Sequence, residues 1–148
     1  MKFKKSQKNV AVTILCVYLM TSIHHVYGAL LYETPWRYHI AYQGFTWLIL
    51  SYLILVVSVR WERQFIKWIF VVFAGFFFVG AIGLYEGLYN HVLKNVLYYL
   101  NFDSDLLVAM YPPPKYELPN DFLFEVSGIL TLVVSAWCLK TMIVYLKK

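Results

Sequence analysis

The chain has few charged residues and few cysteines. Only 14% of its 148 residues are charged and 61% are apolar, whereas soluble domains carry about 25% charged residues. This shortage excludes an ordinary water-soluble domain. The two cysteines, Cys16 and Cys138, form neither a CxxC pair nor a metal-ligand spacing, so neither a disulfide framework nor a thiolate metal site is expected. We interpret both as packing residues.

Internal repeats, low-complexity tracts and nucleic-acid-binding motifs are missing as well. The net charge of +5 comes from basic residues that flank apolar runs, and these residues form no recognition motif. A nucleic-acid partner is therefore not expected. The composition instead indicates the lipid bilayer as the main partner, and the length allows a single domain covering residues 1–148.

The sequence does contain four long apolar stretches, at about residues 10–32, 35–59, 67–99 and 121–146. A helix needs roughly 20 apolar residues to cross a bilayer, and each stretch is long enough. We predict an all-α integral membrane bundle of four transmembrane helices, with an outer loop at residues 101–120. Because this loop contains Pro112, Pro113 and Pro114, we expect it to be extended and to lie across the mouth of the bundle.

The basic residues predict the orientation of the bundle, because the cytoplasmic flanks of membrane helices retain Lys and Arg. Of the 13 basic residues, only Arg37, Lys94 and Lys115 fall on one side, and the remainder fall on the side of the two termini. Both termini are therefore predicted to be cytoplasmic. The expected location is a bacterial inner membrane or a plasma membrane, with the functional face outward.

Three ionisable residues, His24, Glu86 and Glu125, fall at a similar depth below the outer boundary. Ionisable groups inside a membrane normally face the bundle interior and pair with one another, so we predict an outward-facing His/Glu pocket at this level. His25 lies about 100° from His24 around a helix, and only one of the two is expected to face the pocket. In an alternative interpretation, a signal peptide cleaved near Gly28 would remove both histidines.

The pocket hypothesis assigns three groups of residues. The candidate catalytic residues are Glu86, Glu125 and His24. The candidate metal ligands are His24, His25, Glu86, Glu125, His91 and, with the weakest support, His39. The candidate ligand-binding residues are Tyr27, Tyr85, Tyr89, Asn90 and Arg37, with Glu33 and Asp121 near the mouth. Glu86 and His91 lie about 140° apart around an α-helix, so they are not expected to form a local chelate.

Imidazole and carboxylate groups suit two kinds of chemistry. They bind divalent metals, with zinc or iron as the candidates here, or they exchange protons with a membrane-soluble ligand such as a lipid, an isoprenoid or a quinone. No HExxH or Glu-x-x-His motif strengthens the metal interpretation. The cofactor is therefore left unassigned between zinc and iron, and a haem held by His24 or His25 with His91 is less favoured.

Other roles are left open by the sequence. An accessory or structural subunit would use the same groups as a buried ionic network, and Glu125 would also stabilise the positive end of the fourth helix. A small oligomeric transporter is a further alternative. Gly83 and Gly87 form a small-xxx-small pair that permits close approach of helices, so a homo-oligomer is predicted to associate through them.

Overall fold

The chain is helical along most of its length. The computed structural model describes residues 3–113 and 115–147, and this part is 85% helical and contains no strand. Lys2 and Lys148, which counted towards the predicted orientation, and Pro114 of the outer loop lie outside the described residues. The elements are α1 (Lys5–Leu31), a 3-10 turn (Pro35–Arg37), α2 (Tyr38–Trp61), α3 (Gln64–Gly75), a π-helical segment (Phe76–Leu93), α4 (Lys94–Tyr99), α5 (Ser104–Met110) and α6 (Phe122–Leu146).

Four continuous helical stretches are long and apolar enough to cross a membrane. They are Lys5–Leu31, Pro35–Trp61, Gln64–Tyr99 and Phe122–Leu146. The predicted all-α chain with four long apolar helices is thereby confirmed, and these lengths indicate a membrane protein. The first helix begins at Lys5 rather than near residue 10, because the Lys4 backbone N–H donates to Gln7 Oε1 (2.7 Å) and caps it.

The helices pack around an apolar core that fills the middle of the bundle and its inner end, where α1 begins and α6 ends. α6 packs against α1 and the π segment, and α1 also packs against α2. The core residues are Val10, Ile14, Val17, Leu48, Leu55, Val59, Phe70, Ala74, Phe77, Phe78, Ile82, Cys138, Met142 and Tyr145. Hydroxyl groups at this end bond in pairs: Thr13 with Thr141, at 2.7 Å, and Ser58 with Tyr145.

The third long helix changes its winding midway, which the sequence did not predict. The segment Phe76–Leu93 is π-helical, so its hydrogen bonds join residues five apart and such residues lie nearly one above the other. Glu86 and His91 form such a pair, with His91 Nε2 3.4 Å from Glu86 Oε1. The expectation that their side chains diverge is wrong, because it assumed the 3.6 residues per turn of an α-helix.

Gly83 and Gly87 face α6 of the same chain. A Cβ atom at Gly87 would lie 2.6 Å from the backbone nitrogen of Leu132, and one at Gly83 would lie 2.6 Å from Ser135 Cβ. The two glycines therefore permit close contact between the π segment and α6. The surface through which a homo-oligomer was predicted to associate is covered within the chain.

The outer loop is less extended than predicted, because it contains the short helix α5. Asp103 caps this helix with its side chain, and Tyr111 beyond the helix is buried. Residues 115–117 then reach the outer end of the bundle, where α1 ends and α6 begins. There Lys94 Nζ donates to the backbone oxygen of Glu117 (2.7 Å), so the loop lies over that end.

Candidate metal centre

Three histidines surround one carboxylate oxygen at the outer end of the bundle. Glu86 Oε1 lies 3.3 Å from His24 Nε2 and 3.7 Å from His25 Nε2. His91 Nε2 is 3.4 Å from the same oxygen. α1 supplies His24 and His25, and the π segment supplies Glu86 and His91. The three imidazoles are only 0–7% exposed, so they are largely shielded from bulk solvent.

Both histidines of α1 belong to this cluster, although only one was expected to face it. Their rings are 5.1 Å apart and inclined at 74°, and Glu86 Oε1 is close to the Nε2 atom of each. A separation of about 100° around α1 therefore brings His24 and His25 to the same oxygen from two sides. The expectation that one of them faces lipid or another helix is wrong, because the carboxylate reaches between them.

Hydrogen bonds on the far side of two rings determine which nitrogen carries the proton. Ser127 Oγ lies 2.9 Å from the backbone oxygen of Phe124 and 2.8 Å from His24 Nδ1. When its single proton is donated to Phe124, Ser127 accepts from His24 Nδ1–H. His91 Nδ1 lies 2.8 Å from Glu125 Oε2 and donates to that carboxylate. With these donors, the lone pair of each neutral ring is on Nε2.

These two lone pairs point into the same space. His24 Nε2 and His91 Nε2 are 3.1 Å apart, and both lie close to Glu86 Oε1, which is also an acceptor. Three acceptors at such distances repel one another unless a cation lies among them. The cluster is thus arranged to hold a cation, either a proton or a metal ion.

The distances agree with those of a metal site. Bonds of about 2.0–2.1 Å from a metal to nitrogen and oxygen place tetrahedral ligands about 3.3 Å apart. Glu86 Oε1 is 3.3 Å from His24 and 3.4 Å from His91, and the His25 contact is longer, at 3.7 Å. The ligand atoms of His24, His25 and Glu86 all lie within 4.8 Å of one another; His91 is outside this group and joins the cluster through its contacts with His24 and Glu86. Hydrogen-bonded Nδ1 atoms, as in two of these rings, are usual behind metal-bound imidazoles.

Glu125, Asn90 and Lys94 support the cluster from behind. Asn90 Nδ2 donates to Glu86 Oε2 (2.8 Å), which leaves Oε1 facing the histidines. Glu125 accepts from His91 on Oε2 and from Lys94 Nζ on Oε1, the latter at 2.9 Å. Glu125 was predicted to be a catalytic residue and a metal ligand. In the structure, its carboxylate contacts His91 Nδ1 and Lys94 Nζ and does not reach Glu86 Oε1.

Gly128 of α6 makes room for the His91 ring. A Cβ atom at this position would lie 2.2 Å from His91 Cδ2 and 2.4 Å from its Nε2. Any side chain here would therefore displace the imidazole. Gly128 belongs to the site for this steric reason, although it contributes no chemistry.

A cavity of about 250 Å³ adjoins the cluster. His25, Glu86 and His91 line it, so an ion among them would be reached from the cavity. The other lining residues are Trp36, Arg37, His39, Ile40, Tyr85, Asn90, Lys94, Lys115, Tyr116, Glu117 and Phe124. Burial and a hydrogen bond with Tyr85 raise the pKa of Tyr116, so this hydroxyl on the cavity wall stays protonated.

Several residues of the sequence-based hypothesis lie apart from the cluster. His39 is exposed on the cavity wall, and its Nδ1 bonds to a backbone oxygen. The hydroxyls of Tyr27 and Tyr89 donate to other parts of the protein, at 3.1 and 3.2 Å. Asp121 caps α6 through its side chain, and Glu33 is exposed just after α1. These residues do not converge with Glu86.

The spacing of the histidines does not fit a haem held between His24 and His91. Two imidazoles on opposite faces of a haem iron are about 4 Å apart, with the macrocycle between them. Here the two Nε2 atoms are 3.1 Å apart, and Glu86 Oε1 lies 3.3–3.4 Å from both. No space for a macrocycle separates the rings.

Phe124 and Ser127 were not among the predicted site residues. The Phe124 ring stacks on His24 with centroids 4.4 Å apart, and Ser127 accepts from the same imidazole. Both residues lie within two positions of Glu125 in the first turns of α6, and this proximity was the available sequence signal. Residues 115–117 carried no comparable signal, because a loop has no periodicity that predicts which side chains face inward.

The fold and the cluster define a class of protein: an apolar four-helix bundle with a buried His/Glu centre beside a cavity. No protein-family model, curated protein or solved structure matches the chain. The functional argument therefore rests on the geometry of the site.

Proposed function

We propose that the chain is an integral membrane metalloprotein that binds one divalent metal through His24, His25, His91 and Glu86. The observation that carries this proposal is the convergence of three imidazole Nε2 atoms on Glu86 Oε1. The Nε2 atoms of His24 and His91 are 3.1 Å apart, and with both rings protonated on Nδ1 their lone pairs face each other. A metal ion would replace this repulsion with coordination bonds.

The proposed orientation has both termini in the cytoplasm and the metal centre near the outer surface, in a bacterial inner membrane or a plasma membrane. The bias in Lys and Arg supports it. Lys4 pairs with Glu62 at the inner end (3.0 Å), and Arg37, Lys94 and Lys115 lie around the cavity at the other end. The cavity would then open towards the outer leaflet.

Zinc and iron are the two candidate metals: the near-tetrahedral spacing of the ligands fits zinc, and the cavity beside three of them fits an iron centre with open positions. Four protein ligands would complete the tetrahedral shell of zinc and leave no position for a substrate. Iron with five or six ligands would keep open positions. Because His25, Glu86 and His91 line the cavity, those positions would face it, where a lipid, an isoprenoid or a quinone would bind next to the metal.

A second candidate function is acid–base chemistry without a metal. Hydrogen bonds run without interruption from His24 through His91, Glu125 and Lys94 to the backbone of Glu117. Such a chain would hold a proton between the two imidazoles and pass it towards the mouth. An accessory or structural role would need only the network itself.

Metal analysis of the purified protein separates these functions. The chain should be purified in a neutral detergent through a tag without histidine, without chelator, and then supplied with Fe²⁺ or Zn²⁺. We expect close to one metal ion per chain and X-ray absorption distances of about 2.0–2.2 Å to nitrogen and oxygen. Replacing a direct ligand, as in Glu86→Gln or His91→Gln, should lower metal affinity by about 100-fold or more.

His39→Gln is the matched control, because His39 lies on the same cavity but outside the cluster. We expect this variant to retain its metal. If the wild-type protein binds neither ion, or if His91→Gln and His39→Gln retain equal amounts, the metalloprotein proposal is refuted. Tetrahedral zinc with four protein ligands would instead show a structural metal and refute the open iron centre.

A further inference from the structure

Arg37 is a buried cation at the start of α2 that aromatic rings hold in place. It is only 5% exposed. Its guanidinium carbon lies 5.2 Å from the centroid of the Tyr32 ring, 5.1 Å from that of Trp36 and 5.4 Å from that of Phe124. Ring faces attract a cation but do not satisfy its N–H donors. The three rings therefore fix the position of the guanidinium and leave its edge available for hydrogen bonds.

Among the described residues, no hydrogen-bond acceptor reaches that edge. Arg37 Nε and Nη2 are buried without a hydrogen-bond acceptor, and the nearest carboxylate oxygen, Glu117 Oε1, is 4.0 Å from Nη2. Buried charged groups without partners are rare, because desolvation of their donors is costly. Arg37 lines the same cavity as the metal cluster, so a ligand in that cavity is the natural acceptor.

The charges around the cavity favour an anion. Three cationic side chains on its wall are balanced by three carboxylates on or beside it. These groups are Arg37, Lys94 and Lys115, with Glu86, Glu117 and Glu125. A divalent metal in the cluster would leave two positive charges in excess, of which a carboxylate would neutralise one and a phosphate monoester up to two. The guanidinium fork matches the two oxygens of a carboxylate or a phosphate.

The mouth of the cavity also offers apolar surface. Trp36 is 47% exposed and Tyr85 is 48% exposed, and Ile40 lies beside them on the wall. Exposed aromatic rings at a membrane boundary suit a ligand whose apolar part stays in the bilayer. A small soluble anion would make no use of them.

We propose that Arg37 binds the oxyanion of an amphipathic ligand, a carboxylate or a phosphate on an apolar chain, and thereby orients that ligand beside the metal. This inference rests on the proposed metal centre. It adds a substrate class: an acidic lipid rather than a neutral quinone or isoprenoid alcohol.

Ligand binding to metal-loaded protein in a neutral detergent tests the proposal. The probes are oleate and oleoyl lysophosphatidate as acidic lipids, oleyl alcohol as the neutral analogue, and acetate and inorganic phosphate as free anions. We expect an acidic lipid to bind at least tenfold more tightly than the alcohol or the free anions. Arg37→Gln should weaken that binding by about tenfold or more, and Arg37→Lys, which keeps the charge without the fork, by less.

Arg60→Gln is the matched control, because Arg60 is an exposed arginine at the other end of α2, and it should bind like the wild type. The inference is overturned if oleyl alcohol binds as tightly as oleate. It is also overturned if the Arg37→Gln variant binds every acidic lipid as tightly as the wild type does. Free anions binding as tightly as the lipids would overturn its amphipathic part. Metal content is measured on the same samples, so loss of the metal centre is distinguished from loss of the anion subsite. If the Arg37→Gln variant does not fold, the inference is tested by the affinity of Arg37→Lys for acidic lipids and by the preference of the wild type for oleate over oleyl alcohol.

Discussion

The two ends of the bundle satisfy their buried polar groups in different ways. At the inner end, hydroxyl groups bond in pairs, as Thr13 does with Thr141, and apolar side chains fill the remaining space. At the outer end, imidazoles, carboxylates and cations are buried together, and two donor atoms of Arg37 have no hydrogen-bond acceptor in the described part of the chain. A hydroxyl can both donate and accept, so a pair of them is self-sufficient. The outer end contains groups that need something further.

This difference indicates that the two ends of the same helices have different roles, with packing at the inner end and ionisable groups at the outer end. Uncharged pairs and close packing at the inner end hold the helices together, and the ionisable cluster costs stability that this packing must offset. The comparison can be tested by substitutions that affect one end and leave the other unchanged. Three of them follow, from the largest expected effect to the smallest.

Phe70→Ala at the inner end should have the largest effect on stability. Phe70 is 0% exposed and packs edge to face on Tyr145, with centroids 5.4 Å apart, so its removal leaves a cavity. We expect a loss of about 3 kcal/mol, measured by unfolding in mixed detergent micelles. Phe65→Ala, on the same helix but 74% exposed, is the control and should change stability little. Metal content per folded chain should stay constant, and a fall would show that the two ends are not independent.

Glu125→Gln at the outer end should weaken metal binding while the bundle stays folded. Glu125 orients His91 through its Nδ1 atom, and changes to such a supporting group typically cost 10–100-fold in metal affinity, or about 1.4–2.7 kcal/mol. Competition with a coloured chelator would measure it. Asp121→Asn, one turn earlier on the same face and able to keep its helix cap, should bind metal normally. Equal affinities for the wild type and Glu125→Gln would show that His91 needs no support.

Thr141→Val should have the smallest effect. It removes the hydrogen bond with Thr13, at 2.7 Å, but Thr13 still donates to the backbone oxygen of Val10. Polar pairs between membrane helices contribute about 0.6 kcal/mol on average, and we expect a loss of that order in the same unfolding experiment. Thr46→Val, at an exposed residue with only a local bond, is the control. A loss of metal in Thr141→Val would contradict the separation of the two ends.

Hydropathy was sufficient to predict the four long helices, because lipid requires long apolar stretches. Counting depth along those stretches also grouped His24, Glu86 and Glu125, which lie in one hydrogen-bonded network in the structure. Depth says nothing about rotation around a helix, however. That is why both histidines of α1 reach the cluster against expectation, and why Glu125 supports His91 although it was predicted to bind the metal.

The π-helical segment could not be predicted from the sequence. Apolar residues or glycines occupy 15 of the 18 positions of 76–93, so hydrophobic periodicity does not distinguish one winding from another. The burial of Arg37 was equally hidden, because it depends on three rings from different elements. Tyr32 follows α1, Trp36 lies in the 3-10 turn and Phe124 lies in α6, and their convergence is a property of the tertiary fold.

The π winding also determines which changes in chain length the proposed metal site would tolerate. Deleting the exposed Leu88 would shorten the distance between Glu86 and His91 from five residues to four, a spacing that an ordinary α-helix keeps on one face. An insertion would lengthen it to six, which neither winding aligns. Between Glu86 and His91, the segment therefore contains one residue more than an α-helix would need to align the two side chains. Removing one residue between Glu86 and His91 would keep the two side chains on one face of the helix, and adding one would separate them.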